Sequence, residues 1–498
     1  TGKVHHEDLN VKESRNRSRQ PPACHTIPGT KAVRKAHLGA PRKTLRQMPT
    51  MAIIHYTGKF NHEVREDPMS RLAAFALLVL LAAAGLHCSD SLEPTKPDPD
   101  PIVNRTIADL TVDEESLIAS VNGFSLDLFR RVNRDADPAK NVFVSPLSVS
   151  YALGITLNGA DGATRDEIAA TLKLAGFSLE EANQAYHGLT AILTKADPAV
   201  TFRIANSFWS RLGKEIRPRF TDACKTYFGA RVEEIDFQAP GAADTINQWV
   251  IDNTNGKIRE VIRAPISGDL AALLLNAIYL KADWSYPFDP DNTKEGRCYL
   301  SDWSELVCSM MARDADEDRQ VFEDFSSRPI VYLESDLFQA ARLPYGNEGF
   351  RMTLLLPNPN LTADDLIEQF TPENWSAWQS LPVHTDYWLS FPKFTFEFET
   401  TLNDVLSAMG MTAAFDPGQA DFSNLFVDGV GWISEVRHKS FVQVDEKGTE
   451  AAAVTSVVYI DCLPPGLTAN RPFVFVIHEV ESGAILFLGK VVNPTLKS

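Results

Sequence analysis

The sequence has too few cysteines for a disulfide scaffold, and it lacks the motifs of the common enzyme classes. Its six cysteines are spread over 498 residues, of which 44% are hydrophobic, so the chain can build an ordinary core. It contains no G-x-S-x-G elbow, no G-x-x-x-x-G-K-[ST] loop and no C-x-x-C pair, and HEVES at His478 lacks the second histidine of a zinc helix. We therefore expect no metal, no cofactor and no catalytic activity.

Positive charge is scarce outside the N-terminal part. The net charge is −17, yet residues 1–68 contain 13 Lys and Arg against 6 Asp and Glu, so the rest of the chain is strongly acidic. Because nucleic-acid binding needs clustered Lys and Arg, this acidic body excludes nucleic acid as an expected partner.

The N-terminal part differs in composition from the rest. Residues 1–68 are polar and basic with no sustained apolar period, and we interpret them as a doubtful or disordered extension upstream of a true start at Met69; the alternative is a genuine basic tail. Residues 69–88 contain a basic start and the 15-residue apolar run Leu72–Leu86, which is short for a membrane span and typical of an export signal.

Cys88 ends this run and precedes a Pro- and Asp-rich linker, residues 89–112, which predicts a stiff, solvated spacer. The arrangement resembles a bacterial lipoprotein signal, although Gly85 and His87 depart from the usual lipobox. The sequence thus predicts an extracytoplasmic protein, secreted or held in the cell envelope, with lipidation of Cys88 as its only contact with a membrane.

Residues 113–498 read as one domain, with helical patterns first and strand patterns later, which favours an α+β fold. SPLSVSYALGITLNGA predicts a helix buried on all sides, and Thr164 with Glu167 predicts a capping box. Cys298 and Cys308 are equidistant from Trp303, as opposite positions in a hairpin are. They are expected to form a disulfide in an oxidising compartment, or else to be two half-buried thiols.

One segment near the C-terminus is unusual for a loop. DEKGTEAAAVTSVVYIDCLPP has no charge, Gly or Pro between Ala451 and Ile460, so it has the composition of a buried strand. It is nevertheless flanked by charged residues and a proline pair, and such a strand is an aggregation hazard when exposed.

The segment VDEKGTEAAAVTSVV resembles the proximal hinge of the serpins. The resemblance continues through NVFVSPLSVSYALGITLNGADGATRDEI, INQWVIDNTNGKI, LLLNAIYLKADWSYPFDPDNT, DFSNL and RPFVFVIHEVESGAILFLGKVVNP, in the family's order. It implies three β-sheets, about nine helices and an exposed reactive-centre loop, in an inhibitory serpin of bacterial type.

The resemblance also implies a mechanism. The target, a serine or cysteine endopeptidase, cuts the loop and becomes covalently attached, and insertion of the cleaved loop into the main sheet traps the acyl-enzyme. The partner is thus the target protease, in a covalent complex with a monomeric inhibitor. The loop begins with small residues where the sheet must part, followed by β-branched residues that fill it. The hinge consists of Gly448, Thr449, Glu450, Ala451, Ala452 and Ala453.

The scissile bond stays open between two alternatives. Family spacing counted forward from Gly448 gives Cys462–Leu463, whereas counting back from NRPF gives Asp461–Cys462. No Arg or Lys lies nearby, which argues against a trypsin-like target.

Two further groups of residues match family sites. The match implies a polar cluster under the main sheet, the shutter, at Ser145, Ser148, Asn276 and His438, and a site at the top of the sheet, the breach, at Trp284, Lys393 and Glu446. If exposed, the Lys393–Glu446 pair would contribute little to stability, but it could gate the hinge. The alternatives to an inhibitor are a non-inhibitory serpin and a binding protein displayed on the cell surface through Cys88.

Overall fold

The structure, a computed structural model, describes the backbone of residues 48–57, 110–314, 330–384, 388–448 and 466–497. Its described residues form nine α-helices and three β-sheets, in agreement with the predicted α+β fold. The helices are α1 Val112–Asp135, α2 Pro146–Gly159, α3 Gly162–Thr171, α4 Leu179–Leu193, α5 Pro218–Phe228, α6 Ala242–Asn253, α7 Ala363–Glu368, α8 Pro372–Gln379 and α9 Asn403–Ala408.

The main sheet has six strands in the order β12-β13-β1-β5-β3-β4. Their bounds are β1 Met48–Thr57, β3 Thr201–Arg211, β4 Arg231–Ile235, β5 Leu270–Lys281, β12 Phe394–Thr401 and β13 Trp432–Val444. All neighbouring pairs are antiparallel except β3 and β4.

The second sheet also has six strands, in the order β2-β16-β15-β10-β9-β8, and the third has four, in the order β14-β11-β7-β6. The strands of the second sheet are β2 Val142–Val144, β8 Val331–Glu334, β9 Phe338–Tyr345, β10 Phe350–Pro357, β15 Phe473–Glu479 and β16 Ile485–Val491. Those of the third are β6 Lys294–Tyr299, β7 Glu305–Asp314, β11 Trp388–Pro392 and β14 Gly466–Thr468.

Helix α2 lies at the centre of the molecule. Every residue from Pro146 to Gly159 is buried, which confirms the prediction of a helix without a solvent face. It begins with Ser145 as its N-cap and Pro146 in its first turn, both favoured there because they satisfy or avoid the free N–H groups of a helix start. Helix α2 packs against β1, β5 and β16, so it joins the main sheet to the second sheet.

The predicted capping box at Thr164 and Glu167 is wrong. Helix α3 begins at Gly162, and its N-cap is Asp161, so Thr164 already lies inside the helix. The Thr164 hydroxyl instead accepts the Asp421 backbone N–H at 2.9 Å, and the Glu167 carboxylate accepts the Thr412 backbone N–H at 2.7 Å. Both side chains serve tertiary contacts that local spacing does not indicate.

Cys298 and Cys308 form the predicted disulfide in the β6–β7 hairpin. Their register differs by two residues from the expected one, since Cys298 lies opposite Leu306 and Cys308 lies opposite Gly296. The bridge therefore joins diagonal neighbours on one face of the hairpin. Cys224 is buried and free.

The central position of the main sheet is filled by β1, from the segment in which the sequence predicted no ordered element. Met48–Thr57 lies between β13 and β5 and runs antiparallel to both. Within the described ranges, no helix combines the length and the apolar character that crossing a bilayer requires. Nor do those ranges bring three or more His, Cys, Asp or Glu side chains into a metal-binding cluster.

Candidate functional site

A tight turn joins the end of β13 to the start of the predicted reactive loop. The backbone N–H of Gly448 donates to the Asp445 carbonyl at 3.1 Å, and the Asp445 N–H donates to the Gly448 carbonyl at 3.0 Å. Gly448 also forms a β-bridge with Asp283, just beyond the end of β5. The last described hinge residue thus already lies between the two strands that flank β1.

Gly448 is required at this turn for two reasons. Its φ is +127°, which residues with a side chain rarely adopt. A Cβ atom would also lie 2.6 Å from the Ala282 carbonyl oxygen and 2.6 Å from the Trp284 nitrogen. Since both of these are backbone atoms, they cannot move aside as a flexible side chain does.

Trp284, which the resemblance assigns to the breach, contacts the turn directly. It is buried, and its indole N–H donates to the Asp445 carbonyl at 2.9 Å. Its ring stacks on Tyr345 with centroids 4.3 Å apart. The same residue therefore packs the core and fixes the end of β13.

The Lys393–Glu446 pair forms, and it is not an exposed surface pair. Glu446 is fully buried, and its Oε1 accepts from Lys393 Nζ at 3.0 Å and from the Thr293 hydroxyl at 2.8 Å. Its Oε2 has no hydrogen-bond partner among the described residues. A buried carboxylate needs its cation because desolvation is costly, so this pair matters more than a surface ion pair.

The first half of the shutter joins α2 to β13. His438 is fully buried, and burial lowers its pKa to about 3, so the ring is neutral. Its Nε2 accepts the Ser145 backbone N–H at 3.2 Å, which assigns the ring proton to Nδ1. The Ser145 hydroxyl donates to the Leu486 carbonyl at 2.8 Å and so reaches the second sheet.

The second half joins α2 to β5. The Ser148 hydroxyl donates to Asn276 Oδ1 at 2.5 Å, and Asn276 Nδ2 donates to Asn206 Oδ1 at 2.7 Å. Asn206 Nδ2 in turn donates to the Phe228 carbonyl at 2.8 Å. The sequence did not indicate Asn206 as part of the shutter. Asn206 lies opposite Asn276 in the β3–β5 ladder, and this pairing between distant segments cannot be read from the sequence.

The two halves of the shutter are separated by β1. Ala52 pairs in register with His438 on one side and with Asn276 on the other. Strand β1 therefore separates Asn276 from His438 within the sheet, whereas Ser145 and Ser148 are linked at the start of α2 by a 3.4 Å bond from the Ser148 N–H to the Ser145 hydroxyl.

Several predicted site residues lie outside the described part of the chain. They are Thr449, Glu450, Ala451, Ala452, Ala453, Asp461, Cys462, Leu463 and Cys88. The description resumes at Gly466, where β14 pairs in parallel with β11 in the third sheet. The assignments of the hinge beyond Gly448, of the scissile bond and of the lipidation site therefore stay predictions.

The main sheet thus has a central strand position between β13 and β5. The hinge turn at Gly448 lies where β5 and β13 end. The sequence model of the family described as "Serpin (serine protease inhibitor)" matches residues 119–494. The chain belongs to the serpin family. Members of this family have no catalytic activity of their own, and many are serine protease inhibitors, which agrees with the expectation that the chain is not an enzyme.

Curated relatives match about three quarters of the chain. The human leukocyte elastase inhibitor is 31% identical over 393 residues, covering 76% of this chain and all of the relative. An uncharacterized serpin-like protein from the archaeon Methanosarcina acetivorans is 30% identical over 395 residues, covering 77% and 88%. Neither relative is bacterial, and the bacterial type inferred from the sequence stays a prediction.

Solved structures share the fold. The thermophilic serpin tengpin in its native state superposes with a TM-score of 0.65 at 26% identity, covering 78% of this chain and 97% of tengpin. Human thyroxine-binding globulin with its hormone gives a TM-score of 0.66 at 27% identity, covering 77% and 100%. The three-sheet serpin fold predicted from the sequence is therefore confirmed.

Proposed function

We propose that the protein is a suicide-type inhibitor of serine endopeptidases, and of cysteine endopeptidases that act through an acyl-enzyme. The observation that carries the proposal is the hinge at Gly448, which lies between the ends of β13 and β5. A strand that continued the pairing of Gly448 with Asp445 and Asp283 would enter the main sheet at this position. The uncharged, small-to-large composition of Ala451–Ile460 suits a strand in that position.

The chemistry is performed by the target. Its nucleophilic oxygen or sulfur attacks the carbonyl carbon before the scissile bond, the C–N bond breaks, and the leaving amine takes a proton from the protease's general acid. The new ester or thioester joins the protease to the N-terminal part of the inhibitor. Insertion of the loop then competes with water for this intermediate, and fast insertion gives a trapped complex.

Two scissile bonds remain, Asp461–Cys462 and Cys462–Leu463. Asp461 suits a protease that prefers acidic residues, whereas Tyr459–Leu463 suits subtilisin-like, elastase-like or papain-like enzymes. A trypsin-like target is disfavoured, since the segment has no Arg or Lys.

Incubation of the full chain with a panel of such proteases tests the proposal. A complex that survives denaturation is expected with at least one enzyme, together with a released C-terminal fragment. Mass spectrometry of that fragment distinguishes a new N-terminus at Cys462 from one at Leu463. Complete cleavage by every protease that cuts the loop, with no captured enzyme, would contradict inhibition.

A second candidate function is that of a non-inhibitory serpin. The filled central position of the main sheet favours it, because a sheet that already contains β1 has no place for the loop. In that case loop cleavage leaves the thermal stability unchanged, whether or not β1 is present. The surface-displayed binding protein is a variant of this candidate and requires a partner that still binds after loop deletion.

We also propose an extracytoplasmic location. The disulfide between Cys298 and Cys308 supports it, since such bonds persist mainly in oxidising compartments. Export would use the signal in residues 69–88, with lipidation at Cys88. Processing before Cys88 would release Met48–Thr57 together with the signal, so the anchored form would be the chain without β1. Metabolic labelling with a radioactive or alkyne fatty acid, compared between the wild-type chain and Cys88→Ser, tests the anchor.

A further inference from the structure

We propose that Met48–Thr57 is an intramolecular occupant of the strand position that the reactive loop needs, and that it must leave before the loop can insert. The occupied position is a β-strand-binding site with two alternative ligands from the same chain. Its effect on inhibition rests on the proposed function, whereas the occupancy itself does not.

The first argument is the extent of pairing. Every residue of β1 pairs with β5 or β13, and most pair with both, so the strand is central and leaves no free edge. Its side chains fill both faces of the sheet. Ala52 and Ile54 belong to the large core around α2, whereas Met51 and Ile53 belong to the second core beside α6. All four are fully buried.

Tyr56 anchors the strand on the side of α2. It is fully buried, and its hydroxyl lies 2.8 Å from the Thr156 hydroxyl in that helix. Its ring also makes edge contacts with Phe422 and Phe426, with centroids 5.4 and 6.5 Å away. An aromatic ring with a satisfied hydroxyl gives β1 a specific register rather than a general apolar contact.

The second argument is that the loop would use the same partners. The Asp445–Gly448 bridge sets the register of a ladder that runs back along β13. Continued residue by residue, this ladder brings Thr455 opposite His438, the present partner of Ala52. It likewise brings Val457 opposite Val436, the present partner of Ile54.

In this register the two segments present similar side chains to the core. Thr455, Val457 and Tyr459 would take the face that Ala52, Ile54 and Tyr56 now occupy. On both segments this face carries a small residue, a β-branched residue and a tyrosine. In this register the inserted loop would run in the same direction as β1, antiparallel to β13, so it could use the same flanking strands.

A lock on β1 tests the mechanism directly. Ile53 and Leu275 are opposed in register across β1 and β5, at a spacing that a disulfide can span. In the full chain, the double variant Ile53→Cys/Leu275→Cys is expected to form a cross-link on oxidation. The oxidised form should capture no protease, and reduction should restore capture. Each single-cysteine variant, given the same oxidation and reduction, controls for effects on Cys298–Cys308.

A second variant loosens β1 and uses a readout that is independent of protease capture. Ile54→Pro removes a ladder donor and breaks the strand, whereas Ile54→Val retains it. The probe is a fluorescent peptide with the sequence TEAAAVTSVVY, copied from Thr449–Tyr459. We expect the peptide to bind the Pro variant about tenfold faster than the Val variant. The loss of one or two ladder hydrogen bonds makes release of β1 about tenfold more favourable, and the peptide needs the vacated position.

These outcomes distinguish the proposed role of β1 from the proposed inhibition of proteases. Equal peptide binding by the Pro and Val variants, failure of the cross-link to form, or capture of protease by the locked chain overturns the proposed role of β1. Faster peptide binding with no capture of any protease by any variant supports the role of β1 and rejects inhibition instead.

Discussion

Asn276 and His438 lie on opposite sides of one strand, each paired in register with Ala52. Their side chains therefore bond to α2 and β3 rather than to each other. In this structure β1 already lies between the two strands that carry Asn276 and His438. The predicted residues make these contacts while β1 fills the central position of the main sheet between them.

The first prediction tests the register of the inserted loop. Val457→Arg should convert the inhibitor into a substrate, because the arginine would take the fully buried place of Ile54, and an unpaired buried charge costs several kcal/mol. Val458→Arg is the matched control. It would take the place of His55, whose side chain is 14% exposed and lies beside Glu435. The ratio of inhibitor consumed per protease captured measures both.

A register shifted by one residue would reverse the two phenotypes. Equal loss of capture in both variants would instead show that the loop tolerates no charge on either face. Either result would contradict the ladder that continues from the Asp445–Gly448 bridge.

The second prediction concerns the hinge turn. Gly448→Ala should slow insertion and raise the share of cleaved, uncomplexed inhibitor, because its Cβ meets backbone atoms at 2.6 Å. Gly410→Ala is the control, since its φ of +109° is strained but its Cβ meets nothing within 4 Å. It should lower the melting temperature, through a cost of about 1 kcal/mol, without changing the partition. Identical partition in the two variants would argue against a role of the turn in insertion.

The third prediction concerns the buried ion pair. Lys393→Met should lower the free energy of unfolding by about 2–4 kcal/mol, because it leaves the buried Glu446 carboxylate without its cation. The double variant Lys393→Met/Glu446→Gln should recover part of the loss, since the amide carries no charge. Urea unfolding measures both. A double variant no more stable than Lys393→Met would show that desolvation of Glu446 is not the cause.

The fourth prediction is that acid promotes release of β1. Burial lowers the pKa of His55 to about 4, with Glu435 opposing and Arg437 assisting the shift. Released, the imidazole returns to its ordinary pKa of 6.5, so the released state binds a proton first as the pH falls. Between pH 6.5 and 4, release should become easier by about 3 kcal/mol. Hydrogen exchange of the β1 amides measures this change.

Other charged groups line the same cleft, namely Glu260, Arg263, Asp269, Glu399 and Lys439. His55→Gln serves as the control because it keeps a polar side chain and removes the titration. In this variant the exchange rates of β1 amides, corrected for intrinsic pH effects, should lose most of their dependence between pH 6.5 and 4. An unchanged pH dependence would assign the effect to the other groups.

Much of the fold follows from local patterns together with the resemblance. The apolar residues of α2 predict complete burial, and the spacing of Cys298 and Cys308 predicts their hairpin. Local patterns fail where a side chain has a distant partner. Thr164 fits a capping box by spacing, but its hydroxyl bonds to Asp421. The charged residues around Glu446 in the sequence favour exposure, yet its side chain is fully buried within the hinge turn.

Strand β1 could not be predicted for the same reason. Its fully buried apolar residues Met51–Ile54 form a run of only four, too short to distinguish a strand from other structures, and polar segments surround it. Both of its partner strands lie more than 200 residues away in sequence. Only the three-dimensional pairing shows that this segment completes the sheet.

Thermal unfolding before and after cleavage of the loop tests the central claim most directly, namely that one strand position accepts either β1 or the loop. In Ile54→Pro, cleavage should raise the melting temperature by about 10 °C, because insertion contributes roughly 10 kcal/mol to a domain of nearly 400 residues. In Ile54→Val, which keeps β1 in place, the rise should be much smaller. Equal rises in the two variants, or no rise in either, would contradict the account.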